Sequence, residues 1–559
     1  MNVSIHIGQR RSIRRRACRW MGSSARWWTW TLVVVSVAAL PVQGYADDVS
    51  VPLSMLIPPA VSEIELSYVG ERTTPVVTLS GPPAAVPSLP YRPFEPILDL
   101  RGGFGDARVF GSCQDRKPRS QDGIDLQRAA GSGLRCGRRI PLHQAEIAVD
   151  LLSYETLRIR GHATGRVVVA LEDRAAGRRE DNLPLATVTG PFDLTLSLKE
   201  IGRKLDLRSL TALVVSTEAA GAHIVFDQIE AAQPSVRPAR PAEIGFWVWT
   251  YREAIRDPDA LLATCRSQRC SRVLIQMPSQ ADDDALWRHY ARLLMTLQEA
   301  GIAAFALDGY PEAIQEPHRL ADKIQRLLAL MKPGGLSGIQ LDIEPYLLPG
   351  FLQEEAQLRR YIETIDTLKD VIGGRVRLSM VIPFWLASPT LAGRPLAYAV
   401  MDRVDEVAVM SYRTDLDEVQ DIAEDILRYG DLVGTRVWLA VETTPLPVEQ
   451  HVVLRREPDS ARADAMLDYD RRLLQWMPPA GGGGLNLSAR REWFRIHHRF
   501  TVRPERLTFA GRSRAEVSAA VTRIVDMTAH SSFSGVIIHD IDGFRALVES
   551  GGKGDSRRE

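Results

Sequence analysis

The rhythm of hydrophobic and polar positions changes partway along this chain. Between Pro96 and Pro234, short apolar or alternating runs recur with turn residues between them: Ile97 to Leu100, Ile147 to Leu152, Thr156 to Arg160, Val167 to Leu171, Phe192 to Leu198, Ala212 to Ser216 and Ile224 to Ile229. A period of two sends alternate side chains to opposite faces, so these runs predict half-buried strands. Strands of that length at that spacing predict an all-β sandwich of the jelly-roll kind. From about residue 244 the texture is different. Short, wholly apolar runs alternate with stretches of helical period, such as Asp283 to Ala300, His318 to Met331 and Leu358 to Ile372. Strands buried on both faces read as continuous apolar runs, and their alternation with amphipathic helices predicts a parallel sheet covered by helices.

Eight such strands can be counted: Gly245 to Trp249, Arg272 to Met277, Ile302 to Asp308, Gly338 to Glu344, Arg377 to Ile382, Glu406 to Tyr412, Arg436 to Glu442 and Gly535 to Ile541. Eight strand-and-helix repeats over about 310 residues predict a (β/α)8 TIM barrel. An open, doubly wound sheet is the rival, but no Gly-rich turn follows the first strand. Proline marks the borders. Residues 47–95 are dense in Pro and small residues and read as a spacer, with at most one strand tied to the sandwich. The run from Gln233 to Pro241 carries three prolines and reads as a linker. The expected organisation is multidomain: a leader over 1–46, the spacer over 47–95, a β-sandwich over 96–234, a linker over 235–243, the barrel over 244–550 and a tail over 551–559.

The leader has its own logic. Residues 1–46 hold seven Arg and no acidic residue, followed by an apolar stretch from Trp27 to Val42 and Gly44-Tyr45-Ala46 before Asp47. That is the layout of a secretory signal peptide, and the adjacent Arg10 and Arg11 fit the twin-arginine route. The apolar stretch is shorter than the roughly 20 residues a spanning helix needs, so the expectation is cleavage after Ala46 with no stable membrane span afterwards. An exported protein, periplasmic or extracellular, is expected. Beyond Cys18 four cysteines remain, an even number for an oxidising compartment, and the expected pairs are Cys113 with Cys136 and Cys265 with Cys270. Neither pair has C-x-x-C spacing or a neighbouring His cluster, so no metal is expected. The whole chain has 69 basic and 69 acidic side chains, and without the leader the balance is about −7. That balance argues against a nucleic-acid partner, because phosphate binding leans on clustered Lys and Arg.

Barrel enzymes carry their chemistry at the C-terminal ends of the strands. Here those ends offer Trp247 and Trp249, Gln276, Asp308, Asp342 and Glu344, Trp385, Tyr412 with Arg413, Glu442, and His539 with Asp540. Asp342 and Glu344 are two apart, so both point to one side, into the barrel mouth. Burying two carboxylates together raises the pKa of one of them, which keeps an acid protonated near neutrality. The alternative is a pair solvated at the rim or locked to Arg. Rings at strand ends suit sugars, whose C–H faces stack on aromatic surfaces. Trp247, Trp249, Trp385 and Tyr412 are candidates. Core packing competes for Trp247 and Trp249, of which only one is expected to point inward. His497-His498 reads as a solvated helix and Gly481 to Gly484 as a flexible loop.

Three short motifs carry a resemblance. Gly338-Ile339-Gln340-Leu341-Asp342-Ile343-Glu344 resembles the fourth-strand motif D-G-x-D-x-D-x-E of glycoside hydrolase family 18, the chitinases and their relatives, with Ser337 and Gln340 at the two earlier acidic positions. Val409-Met410-Ser411-Tyr412 resembles that family's sixth-strand M-x-Y, with Arg413 in place of the usual Asp. Gly535 to Phe544 is similar to its final strand, with His539 in place of the Trp that floors the sugar site. The resemblance implies Glu344 as general acid, Asp342 as its electrostatic partner that orients a 2-acetamido group, and Tyr412 as a hydrogen-bond donor to the intermediate. In the sandwich, Ala222 to Ala231 is similar in texture to the closing strand of galactose-binding-like and carbohydrate-binding jelly rolls.

Two mechanisms stay open. Either the strand-four pair works alone, or Glu442, at the end of strand seven, is a nucleophile facing Glu344 across about 5 Å, as in the large clan of retaining glycosidases. That clan usually has Asn before the strand-four Glu, where this chain has Ile343. The expected catalytic set is Glu344, Asp342, Tyr412 and Glu442. The expected substrate contacts are Trp249, Gln276, Asp308, Trp385, Arg413 and His539, with a polysaccharide or oligosaccharide as partner and no cofactor. The rival expectation is a glycan-binding or polysaccharide-handling protein on a degenerate glycosidase barrel, which His539 and Arg413 favour.

Overall fold

The structure, a computed structural model, describes residues 50–52, 61–70, 75–80, 88–90, 107–114, 123–129, 135–142, 148–174, 182–232, 241–348, 350–476 and 490–549. The leader, residues 233–240 of the linker, the runs at 97–100 and 481–484, and the tail lie outside them.

Eight parallel strands close into a barrel in chain order: Glu243–Val248, Arg272–Gln276, Ala303–Asp308, Gly338–Leu341, Arg377–Pro383, Glu406–Met410, Arg436–Glu442 and Phe533–His539. The eighth pairs with the first from Glu243 opposite Gly535 to Phe246 opposite Ile538. These are the eight apolar runs of the sequence. Both faces are buried, but against different partners. Val273, Ala304, Ile339, Val407 and Val437 point outward into the core under the helices. Trp247, Leu274, Phe305, Leu307, Val381, Ala408, Trp438, Ala440 and Ile537 point inward and fill the barrel. The covering helices include Asp284–Glu299, Pro317–Leu330, Glu355–Ile372, Leu416–Val433 and Arg514–Met527. Their ends follow from local chemistry: Asp283 accepts from the Leu286 amide at 2.8 Å, and Ser513 and Glu516 form a reciprocal capping box.

At the N-terminal end of the barrel interior, Arg272 and Glu406 form an ion pair, 1% and 0% exposed. The guanidinium also lies 3.9 Å from the centre of the Trp438 ring and 4.2 Å from that of Phe305. A charge buried this deeply is tolerable only with such partners.

Two further sheets flank the barrel. The larger has nine strands built on one long strand, Thr156–Asp173, which the sequence reads as two. It pairs with Leu183–Ser197 along one edge. Along the other edge its partner changes, from Gly221–Ala232 over residues 156–164 to Leu210–Thr217 over residues 168–173. Three strands had no counterpart in the sequence reading: Arg108–Gly111, Ile124–Gln127 and Cys136–Pro141. Both expected disulfides, Cys113–Cys136 and Cys265–Cys270, are present. The sheet docks on the barrel through ions. Arg428 on helix Leu416–Val433 grips Asp150 with both terminal nitrogens, at 2.8 and 2.9 Å, and Arg208 reaches Asp425 at 2.6 Å.

The other sheet corrects the reading of residues 47–95 as spacer. Glu63–Val69 and Val76–Ser80 are strands, and they pair with an insertion that follows the seventh barrel strand: Glu449–Arg456, Ala465–Asp468, Leu473–Trp476 and Arg491–Val502. Together with Ser50–Pro52 they make seven strands around a core of Val61, Ile64, Leu66, Val77, Leu454, Leu467 and Phe494. The alternating Ile64 and Leu66 were hidden by the prolines on either side. His497 and His498 lie in the last of these strands, not on a helix. The barrel therefore does not run unbroken from 244 to 550; its seventh loop donates strands to a separate sheet.

Candidate active site

Gln340 lies on the inward side of the fourth strand, and Asp342 and Glu344 follow at the same spacing just past its end. The register is set lower down by Gly338, where a Cβ would come within 2.1 Å of the Phe305 ring, so only glycine fits there. Gln340 is fully buried and committed at both ends: the Trp247 indole donates to its Oε1, and its Nε2 donates to Ser379 Oγ at 2.9 Å. Asp342 stands above it, half-buried, with Oδ1 sealed from solvent and without a hydrogen-bond partner. Burial and the neighbouring charge of Glu344 push its carboxyl up to about 8, against a smaller downward pull from His539. Glu344 lies at the end of the run, before the short turn Pro345–Leu347. Burial raises it as well, although the Tyr346 hydroxyl donates to its Oε1 and favours the charged form. Two desolvated carboxyls, one of them raised further by the charge of the other, hold at least one proton between them near neutral pH.

Glu442 is placed differently. It ends the inward face of the seventh strand and is 2% exposed. Its Oε1 accepts from the Thr443 amide at 2.8 Å, the Thr444 amide at 2.7 Å and the Thr444 hydroxyl at 2.7 Å. Its Oε2 faces His539 Nδ1 at 2.7 Å. Oε1 is saturated and Oε2 has one contact, so this carboxylate anchors His539 and the turn after strand seven.

His539 is held from two sides. Burial pulls its pKa down, but the Glu442 carboxylate more than offsets this and sets it above the ordinary value. The Trp249 indole N–H, which donates to Nε2 at 2.9 Å, works the other way, because only the neutral ring has a lone pair there. The neutral tautomer with its proton on Nδ1 satisfies both contacts. Tyr412 reaches the same space from strand six, its ring centre 5.8 Å from that of His539. Asp342, Glu344 and Glu442 all raise the Tyr412 phenol, after burial, so the hydroxyl stays a donor. The peptide between His539 and Asp540 is cis.

Trp247 and Trp249 both belong to the interior cluster, which corrects the expectation that only one would. Residues two apart on a strand share a face. Gln276 continues the inward register of Leu274 and is half-exposed at the mouth. Trp385 sits in the short turn Phe384–Ala387 and meets the Tyr346 ring edge-on at 4.9 Å. Two expected contacts point elsewhere. Asp308 follows the outward residues Ala304 and Ala306, accepts from the Gly309 amide at 2.9 Å and pairs with Lys323 on helix Pro317–Leu330. Arg413 donates through Nη1 to the Tyr412 carbonyl at 2.7 Å and lies 3.5 Å from Glu418 and 5.2 Å from the centre of the Phe384 ring. The sequence reading missed Tyr346 and the Thr443-Thr444 pair. Tyr346 keeps the two-residue spacing of Asp342 and Glu344, a signal that was there to follow.

Among the described residues, no group of three or more His, Cys, Asp or Glu side chains could hold a metal ion, and no helix is long and apolar enough to cross a membrane.

No protein-family profile and no curated protein matches the sequence. Among solved structures, the chain is similar to the spore cortex-lytic enzyme SleL of Bacillus megaterium QM B1551, with a TM-score of 0.31 and 10% identity over 58% of this chain and 75% of that one. A class V chitinase from Pseudomonas fluorescens Pf-5 aligns with a TM-score of 0.31 and 14% identity, over 56% of this chain and 97% of that one. A class V chitinase from Nicotiana tobaccum aligns with a TM-score of 0.30 and 11% identity, over 54% and 95%.

Proposed function

We propose that this protein is an exported glycoside hydrolase acting on a polysaccharide, with Glu344 as the general acid. One observation carries the reading: two desolvated carboxyls share the mouth of the barrel, and burial outweighs the downward pull of His539, so a proton is retained where an acid is needed. Glycosidic cleavage asks for a proton on the leaving oxygen and for negative or dipolar groups beside the positive charge that develops on the sugar ring. Glu344, the outer of the pair, delivers the proton. Asp342 beneath it stabilises the developing charge and keeps the pair protonated until cleavage, and the Tyr412 hydroxyl donates to the intermediate. Trp249, Trp385 and Tyr346 supply ring surface for sugars. The four contacts on Glu442 favour the strand-four pair over a mechanism with Glu442 as nucleophile.

A second reading, glycan binding without turnover, is favoured by Gln340. Its amide, tied to Trp247 and Ser379, cannot exchange a proton with Asp342. The test is to incubate the full exported chain with a panel of polysaccharides and measure new reducing ends. The expected result is release from at least one polymer that Glu344→Gln lowers by about 10²- to 10⁴-fold. Retention of a polymer with no release would overturn the hydrolase in favour of the binding protein.

A further inference from the structure

The nine-stranded sheet carries a cleft of about 420 Å³, whose walls include Arg108, Phe110, Arg135, Arg139, Glu172 and Asn182. Strand register explains the charge. Arg108 stands directly across from Arg139 on the neighbouring antiparallel strand, and like charges opposed in this way repel. Arg135, at the head of the same strand, adds a third cation. Glu172 is the one carboxylate lining the cleft, and it pairs with Arg139, whose Nη2 also donates to Thr211 Oγ1 at 3.1 Å. Arg135 is oriented through Nε, which donates to Ser216 Oγ at 2.7 Å. Its terminal nitrogens, and the whole of the exposed Arg108 guanidinium, meet no acceptor among the described residues. Three guanidinium groups against one carboxylate make a face that an incoming anion stabilises.

The floor is apolar and flat. The Phe110 ring lies across Gly137, where a Cβ would come within 2.1 Å of it, and packs against Ala170, Ala212 and Val214. The Cys113–Cys136 disulfide ties the segment after Phe110 to the start of the Arg139 strand, which holds ring and cations in one frame. A ring surface bordered by forked donors suits a sugar that carries an acid group, with its C–H face on Phe110 and its charge between Arg108 and Arg135.

We infer that this cleft binds an anionic sugar residue of a polysaccharide, a uronate or a sulfated sugar. The site is independent of the barrel's chemistry. The excess of acidic side chains outside the leader opposes a nucleic acid as the ligand. The test measures binding of the full exported chain to polygalacturonate, dextran sulfate and neutral dextran by affinity electrophoresis at two salt concentrations. The expected result is retention by one or both anionic polymers, weakened by salt, and none by dextran. Arg108→Gln with Arg135→Gln should weaken retention about tenfold or more without lowering the melting temperature, since both side chains are exposed. Arg288→Gln with Arg292→Gln, on an exposed helix face, should leave it unchanged. Preference between the two anionic polymers identifies the acid group. Retention by neither, equal retention by dextran, or an equal loss in the two double variants would each overturn the inference.

Discussion

The two ends of the barrel interior both hold buried charge and treat it in opposite ways. At the closed end Arg272 and Glu406 neutralise one another, with Trp438 and Phe305 stacked on the guanidinium. At the open end Asp342 and Glu344 carry the same sign, and Asp342 Oδ1 has no partner at all. The closed end keeps its charges matched, so neither stands uncompensated. The open end accepts a cost that the rest of the fold must cover, and a strained protonation state is what remains there. Glu442 shows that the open end is not short of donors: amides and a hydroxyl converge on it at the end of strand seven. The lack of partners at Asp342 is thus local, as a site that handles protons requires.

The largest effect should come from breaking the matched end. Glu406→Leu leaves the Arg272 guanidinium buried and unpaired, and should lower the unfolding free energy by about 3–5 kcal/mol in denaturant melts. Adding Arg272→Met to it should restore most of that loss, because two apolar side chains leave no charge stranded. The open end should respond in activity instead. Asp342→Asn should lower turnover about 10²-fold on whichever glycan is hydrolysed while leaving the fold intact. Stability against pH sharpens the contrast. The unfolded Asp342 carboxyl titrates near 4 and the folded one near 8, so in that window the folded state keeps a proton that the unfolded state has lost. Unfolding free energy should therefore fall as pH rises from about 4 to 8, and Asp342→Asn should remove that part of the slope. The smallest effect belongs to Glu442→Gln. Its carbonyl can still accept from Thr443 and Thr444, so turnover should drop by less than about tenfold. Abolished activity in this variant beside near-normal activity in Asp342→Asn would reverse the roles assigned to strands four and seven.

The barrel was legible because its strands are buried on both faces and read as unbroken apolar runs, such as Val273-Leu274-Ile275 and Val437-Trp438-Leu439-Ala440-Val441. The seven-stranded sheet was not. Arg491–Val502 alternates Phe494, Ile496, Phe500 and Val502 with polar residues because its outer face is solvated, His497-His498 interrupts the pattern, and the sheet's first strands are hundreds of residues away. Thr156–Asp173 was divided in two because Gly161 and Gly165 look like turn residues, whereas Gly161 pairs with Phe226 and Gly165 lies where the strand exchanges one neighbour for another. At the site, Asp342 and Glu344 were found by their spacing. Asp308 and Arg413 were misplaced because closeness to a strand end was weighed without parity: Asp308 is one residue past the inward Leu307, and Arg413 one past the inward Tyr412. Chain distance hid the partners of Glu442, since no local pattern joins it to His539.

The pairing of Glu63–Val69 with Glu449–Arg456 bears on the order in which this molecule can assemble. Glu63 stands opposite Arg455, so the strands that leave the ribosome or a translocation pore first are among the last to find their neighbours. Until the seventh loop arrives, Ile64, Leu66 and Val77 have no apolar cover from Leu454 or Phe494 and present open edges. Long-range closure of this kind slows folding and exposes sticky intermediates. A chaperone that holds the early segment until the late one has emerged would therefore raise the yield of folded molecules more than any gain in barrel stability.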